Sequence, residues 1–158
     1  MKILITGGKT ATALKITKAF EDVEIILADY GAMPAIKSAA YSLESIGEWN
    51  QEILAHHLLT KCLDYGVDKL LPLYESEIVA IAKSLTLFDE FGIQVLVPEN
   101  PSINQRKFKD WCLFENGKLI YTSAKFDFEN ADSVHLNGAY FFDFEKGKLE
   151  LVSIPNPL

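Results

Sequence analysis

The sequence predicts an α/β fold: a Rossmann-like, mostly parallel five-stranded sheet with helices on both faces, and a small C-terminal β-rich appendage. Three observations predict it. Short apolar runs alternate with amphipathic stretches over the first hundred residues. The glycine pair Gly7-Gly8 directly follows the first apolar run. After Pro101 the alternation stops and hairpin-like strings replace it.

Residues 2–6 (KILIT) read as a short buried strand. Residues 10–20 place Ala13, Ile16 and Phe20 at helical spacing, with Lys15 and Lys18 among them. Residues 23–28 (VEIILA) are the second strand. Strand, glycine turn, helix and strand in this order open a βαβ unit. Residues 40–43 are a short third strand, and 49–65 a helix stopped by Gly66. Residues 69–73, interrupted by Pro72, are the fourth strand. Residues 75–91 give the clearest helix, with Ile78, Ile81, Leu85 and Phe88 on one face and Gly92 at its end. Residues 93–97 (IQVLV) are the fifth strand, closed by Pro98. Right-handed crossovers then cover both faces of the sheet.

Beyond Pro101 two readings stay open. Residues 102–113 fit a helix, but 111–122 (WCLFENGKLIYT) also fit a hairpin with Asn116-Gly117 as its type I′ turn. Residues 139–144 and 148–154 read as two strands joined at Glu145-Lys146-Gly147. The expected division is a Rossmann-like domain over 1–101, a linking helix or hairpin over 102–117, and a β-rich appendage over 118–158. There is no internal repeat.

A chain of 158 residues suits one domain with a small appendage. It buries roughly 70% of its unfolded surface without a disulfide or metal staple. The net charge of −7 excludes non-specific binding to nucleic acid or anionic membranes. Cys62 and Cys112 form no CxxC pair, which points to buried, reduced thiols and no metal site. The N-terminus has no signal-peptide layout and no apolar run reaches the ~20 residues of a membrane span, so the expectation is cytoplasmic.

Three segments are candidate binding sites. The turn Thr6, Gly7, Gly8, Lys9 and Thr10 offers glycine backbone and a helix start to an anion, a phosphate or a carboxylate. The alternative is a tight βα turn and nothing more. Neither a P-loop nor a GxGxxG fingerprint fits, because Ile3, Lys9 and Thr12 stand where glycines belong. Asp29 ends the second strand 22 positions after Gly7, where dinucleotide folds hold a ribose. A strand-end Asp opening the turn Asp29-Tyr30-Gly31 is the plainer reading. Tyr74, Glu75, Ser76 and Glu77 follow the fourth strand on the edge where such sheets bind ligands. Their carboxylates would orient a substrate amine or a metal-bound nucleotide, or simply complement the helix dipole.

Two patterns are decoys. Tyr65 and Lys69 spell YxxxK across a helix stop, so they do not share a helical face. His56 and His57 are adjacent and point about 100° apart, so they cannot share a metal as an i, i+4 pair does. No catalytic set is visible.

The strings KILITGG, VEIILADYGAMPAIKSAAYSLES, YGVDKLLPLYESEI and GIQVLVPENPSIN, in this order, carry a resemblance. Residues 1–101 resemble the pre-ATP-grasp domain. That domain is the Rossmann-like N-terminal module of carbamoyl-phosphate-synthase-like and biotin-carboxylase-like ATP-grasp enzymes. Residues 107–117 look like the helix that links it to the ATP-grasp fold, although Arg106 replaces the usual acidic residue. Only 41 residues follow Gly117, too few for an ATP-grasp fold. The resemblance implies a stand-alone domain, not a complete enzyme, with two roles open to it. It binds a small anionic or amino-acid-like ligand, or it is one subunit of a split ligase. ATP and Mg²⁺ enter only with a partner chain that supplies the other half. A small NAD(P)-binding oxidoreductase domain is the alternative, and a homo-oligomeric interaction protein, pairing through exposed strands near 140–144, is a third.

Overall fold

The structure, a computed structural model, describes residues 1–104, 109–125, 135–143 and 147–157. Strands β1 (Lys2–Ile5), β2 (Glu24–Tyr30), β3 (Ser42–Gly47), β4 (Lys69–Leu71) and β5 (Gln94–Val95) form one parallel sheet in the order β3-β2-β1-β4-β5. Their apolar residues are buried on both sides, as a doubly covered parallel sheet requires. β1 lies between β2 and β4, with Ile3 opposite both Ile25 and Lys69. The chain winds outward through β2 and β3, then returns to the other side of β1. The β1/β4 boundary is therefore the topological switch point.

Several elements are shorter or shifted relative to the sequence pattern. Helix α1 spans only Ala11–Ile16 and tightens into a 3₁₀ turn over Thr17–Ala19. Helix α2 spans Leu54–Tyr65 after a 3₁₀ turn over Gln51–Ile53, and Gly66 ends it at φ 64°. The expected helix over 75–91 is two helices, α3 (Glu75–Ala82) and α4 (Leu85–Glu90). The Ser84 amide donates to the Ile81 carbonyl, a three-residue closure that stops α3 before α4 restarts on the same apolar face. Strand β3 begins at Ser42 rather than residue 40, and β5 is two residues long.

The open question after Pro101 resolves as a hairpin. Strands β6 (Asp110–Glu115) and β7 (Lys118–Thr122) pair through Asn116 and Gly117, both at positive φ, so strand and turn stand where a linking helix was the other reading. Arg106 and Lys107 lie outside the described residues. With β8 (Gly138–Asp143) and β9 (Lys148–Leu151) the hairpin forms an antiparallel sheet in the order β7-β6-β8-β9. Phe144, Glu145 and Lys146 also lie outside the described residues. The strand expected to be exposed is instead interior: Tyr140, Phe141 and Phe142 are buried between β6 and β9. The outer strand β7 carries an extra residue, Ile120, between the Leu113–Tyr121 and Phe114–Leu119 pairs. A bulge and Lys118 blunt that edge against pairing with another chain.

The two sheets share one continuous apolar core. Asn137 Nδ2 donates to the carbonyls of Val95 and Val97 at 2.9 and 3.2 Å. Lys69 pairs with Glu115 across the same junction. No helix among the described residues is long and apolar enough to cross a membrane.

Gly138 is the tightest point of the junction. Its φ is 113°, and a Cβ there would lie 2.6 Å from the Leu96 carbonyl oxygen. Gly138→Ala is therefore expected to lose at least about 2 kcal/mol, from overpacking and backbone strain together. Urea denaturation reads the loss as a lower midpoint at an unchanged slope.

Candidate functional site

The candidate residues are drawn together because β1, β2 and β4 end at the same edge of the sheet. The turn after β1 packs directly onto β2. Gly8 donates its amide to the Ala28 carbonyl, and a Cβ on Gly8 would lie 2.8 Å from the Leu27 carbonyl carbon. Gly8 is glycine because backbone meets backbone here. Thr10 caps α1 by accepting from the Ala13 amide, and its hydroxyl donates to the Gly7 carbonyl. The Lys9 ammonium donates to the Tyr30 carbonyl at 2.7 Å.

Two of the three carboxylates at this edge, Asp29 and Glu77, point inward. Asp29 is buried, accepting from the amides of Lys9 and Tyr30 and from the Tyr74 hydroxyl at 2.7 Å. Glu77 is fully buried, accepting from the Thr6 and Tyr30 hydroxyls at 2.6 Å each and from the Tyr74 amide at 3.1 Å. Thr6 in turn accepts from the Leu73 amide. One carboxyl thus ties the ends of β1 and β2 to the loop after β4. Burial raises the Glu77 pKa to about 7, although its three donors pull it down. The Tyr30 and Tyr74 hydroxyls are held far from ionisation, first by burial and then by the adjacent carboxylates.

Thr6, Tyr30 and Trp49 complete the set; Thr6 and Tyr30 stood in the two candidate turns without a role of their own, and sequence reasoning missed Trp49. The Trp49 ring stands edge-on to Tyr30 and Tyr74, with centroids 4.8 and 5.7 Å away. It covers the two tyrosines that hold the carboxylates. Its only sequence signal is an aromatic residue shortly after a strand.

The C-terminal chain crosses the same edge. Ile154 donates its amide to the Leu73 carbonyl at 2.8 Å and accepts from the Glu75 amide at 3.1 Å. Its δ1 methyl fills the space above Gly7, 2.6 Å from where a Cβ would stand. Asn156 Oδ1 accepts from the Ser76 amide, and its Nδ2 donates to the Ser76 hydroxyl. The Gly7 turn and the start of α3 are therefore both occupied by the chain itself.

No protein-family model matches this chain, and no curated protein is similar to it.

Open space lies beside the edge. A groove of about 640 Å³ runs between the start of α2 and α3, and Glu75 and Ser76 line it with Gln51, Ile53, Val79 and Lys83. Gln51 Nε2 donates to the Ser76 hydroxyl at 3.2 Å, joining the two walls. A second groove, about 730 Å³, follows the outer edge of β5 near Gln94, Asn100 and Asn137, away from every candidate residue.

Burial pushes the thiols of Cys62 and Cys112 up to about 12, so neither is a nucleophile. His56 is exposed and His57 is half-buried against Gly47. Tyr65 donates its hydroxyl to the Ser45 carbonyl, far from any partnership with Lys69. No group of three or more His, Cys, Asp and Glu that could hold a metal occurs among the described residues.

Glu77 makes the fold pH-sensitive. Its folded pKa of about 7 lies above the ordinary 4.5, so the folded chain holds a proton the unfolded chain has released. Its contribution is complete below pH 4.5 and is lost as pH rises to about 7. The span amounts to about 3 kcal/mol. Urea titrations between pH 4 and 8 should show this decline in the native chain and a flatter profile in Glu77→Gln.

Proposed function

We propose that this chain is a ligand-binding module on a pre-ATP-grasp-like scaffold, and not a self-sufficient enzyme. The groove between α2 and α3 carries the reading. Its rim holds a cation, Lys83, and two carboxylates, Glu52 and Glu75, beside the aliphatic residues Ile53, Val79 and Ile103. A small amino-acid-like ligand offers the matching set: a carboxylate, an amine and a short apolar body. Its carboxylate would meet Lys83 and its amine the two glutamates.

The rest of the edge supports a binding role over a catalytic one. Asp29 and Glu77 spend their oxygens on the chain's own donors. Chemistry on the bound ligand would then come from a partner chain carrying the nucleotide-binding half. The two buried thiols fit a reducing compartment such as the cytoplasm.

Thermal-shift measurements with L-leucine, other amino acids, phosphate, Mg-ATP and NAD⁺ test this. A ligand at 100 times its dissociation constant adds about 2.7 kcal/mol, or several degrees in Tm. An aliphatic amino acid should give that shift, and Lys83→Ala should remove it. Hydrolysis of ATP by the pure chain, or a shift with NAD⁺ alone, would overturn the reading.

A further inference from the structure

Residues 152–157 cross the switch point as an extended strap whose contacts spell out what its seat accepts. The Leu73 carbonyl takes a backbone donor, and the Glu75 amide takes a backbone acceptor. This is one rung of a parallel ladder, Tyr74 beside Ile154. The hollow over Gly7 takes a branched aliphatic side chain, because glycine leaves the space a Cβ would fill. Two residues further on, Ser76 takes a side-chain carboxamide through both its amide and its hydroxyl. Pro155 and Pro157 flank that carboxamide, and neither has an amide proton to donate. The strap thus stays extended: Val152 donates its amide to the Ala139 carbonyl, and the bonds to the seat itself run through Ile154 and Asn156.

These are the features of strand-addition recognition, in which backbone bonds give affinity and alternate side chains give specificity. We propose that the seat over Gly7, Leu73, Glu75 and Ser76 is a peptide-binding site and that the strap is its resident intramolecular occupant. The partner it fits is an extended segment of another protein. That segment carries a branched aliphatic residue, followed two positions later by asparagine or glutamine. The tethered strap has a high effective concentration, so a partner gains the seat when the strap is weakened or withdrawn. The seat adjoins the groove proposed above, sharing Glu75 and Ser76 with it, but Lys83 has no part in it.

The test uses the full chain with Ile154→Ala and Asn156→Ala together, probed with a fluorescent synthetic peptide spanning residues 151–157. Fluorescence polarisation should show this variant binding the peptide at least tenfold more tightly than the native chain. A peptide carrying the same two alanines should not bind. A variant with native circular dichroism that binds neither peptide overturns the proposal. Hydrogen exchange on the native chain keeps the test decisive if the variant does not fold. After correction for intrinsic rates, the Ile154 and Glu75 amides should exchange at least tenfold faster than the β1 amides, reporting local release of the strap. Equal rates would mean that the seat opens only with the whole fold, and would also overturn the proposal.

Discussion

The buried carboxyl of Glu77 is the interaction on which the C-terminal edge depends. It accepts from Thr6 at the end of β1, Tyr30 at the end of β2, and Tyr74 after β4. A carboxyl with no access to water is tolerated only when donors surround it, and here three do. Asp29 repeats the pattern one step outward through Tyr74 and Lys9. The polar groups that make this edge look reactive therefore hold strand ends in place.

The backbone from Leu73 to Glu75 is shared between this network and the C-terminal chain. The Leu73 and Tyr74 amides face inward to Thr6 and Glu77. The Leu73 carbonyl and the Glu75 amide face the C-terminal chain. The inner network thus sets the register on which Ile154 docks. Ile154 then joins the two sheets at the switch point, much as Gly138 and Asn137 join them at β5. The second sheet is continuous with the core of the first and closes the edge where β1, β2 and β4 end.

The strands of the first sheet were legible in the sequence because they rest on local patterns, whereas the hairpin was legible only as one of two readings. Alternating apolar runs marked β1, β2 and β4, and Asn116-Gly117 marked the β6–β7 turn. The site was legible as a place: Gly7 to Thr10, Asp29 and Tyr74 to Glu77 do meet at one edge. What they do there was not legible. Whether Glu77 faces water or Thr6 depends on a contact 71 residues away, and the Ser76–Asn156 pair spans 80. The split of the expected 75–91 helix was hidden for the opposite reason. Its apolar face continues unbroken through Ser84, so periodicity alone predicts a single helix. The strand at 140–142 read as exposed because its aromatic run gave no sign of the two neighbours that cover it.

Closure of the switch point by the C-terminal chain is directly measurable in solution. In the native protein, labelled at isoleucine methyls, the Ile154 δ1 methyl should show a strong nuclear Overhauser contact to the α protons of Gly7. A methyl with no such contact and a shift typical of an exposed isoleucine would contradict that closure. The turn after β1 would then be open to solvent, and the edge would again be a vacant ligand site.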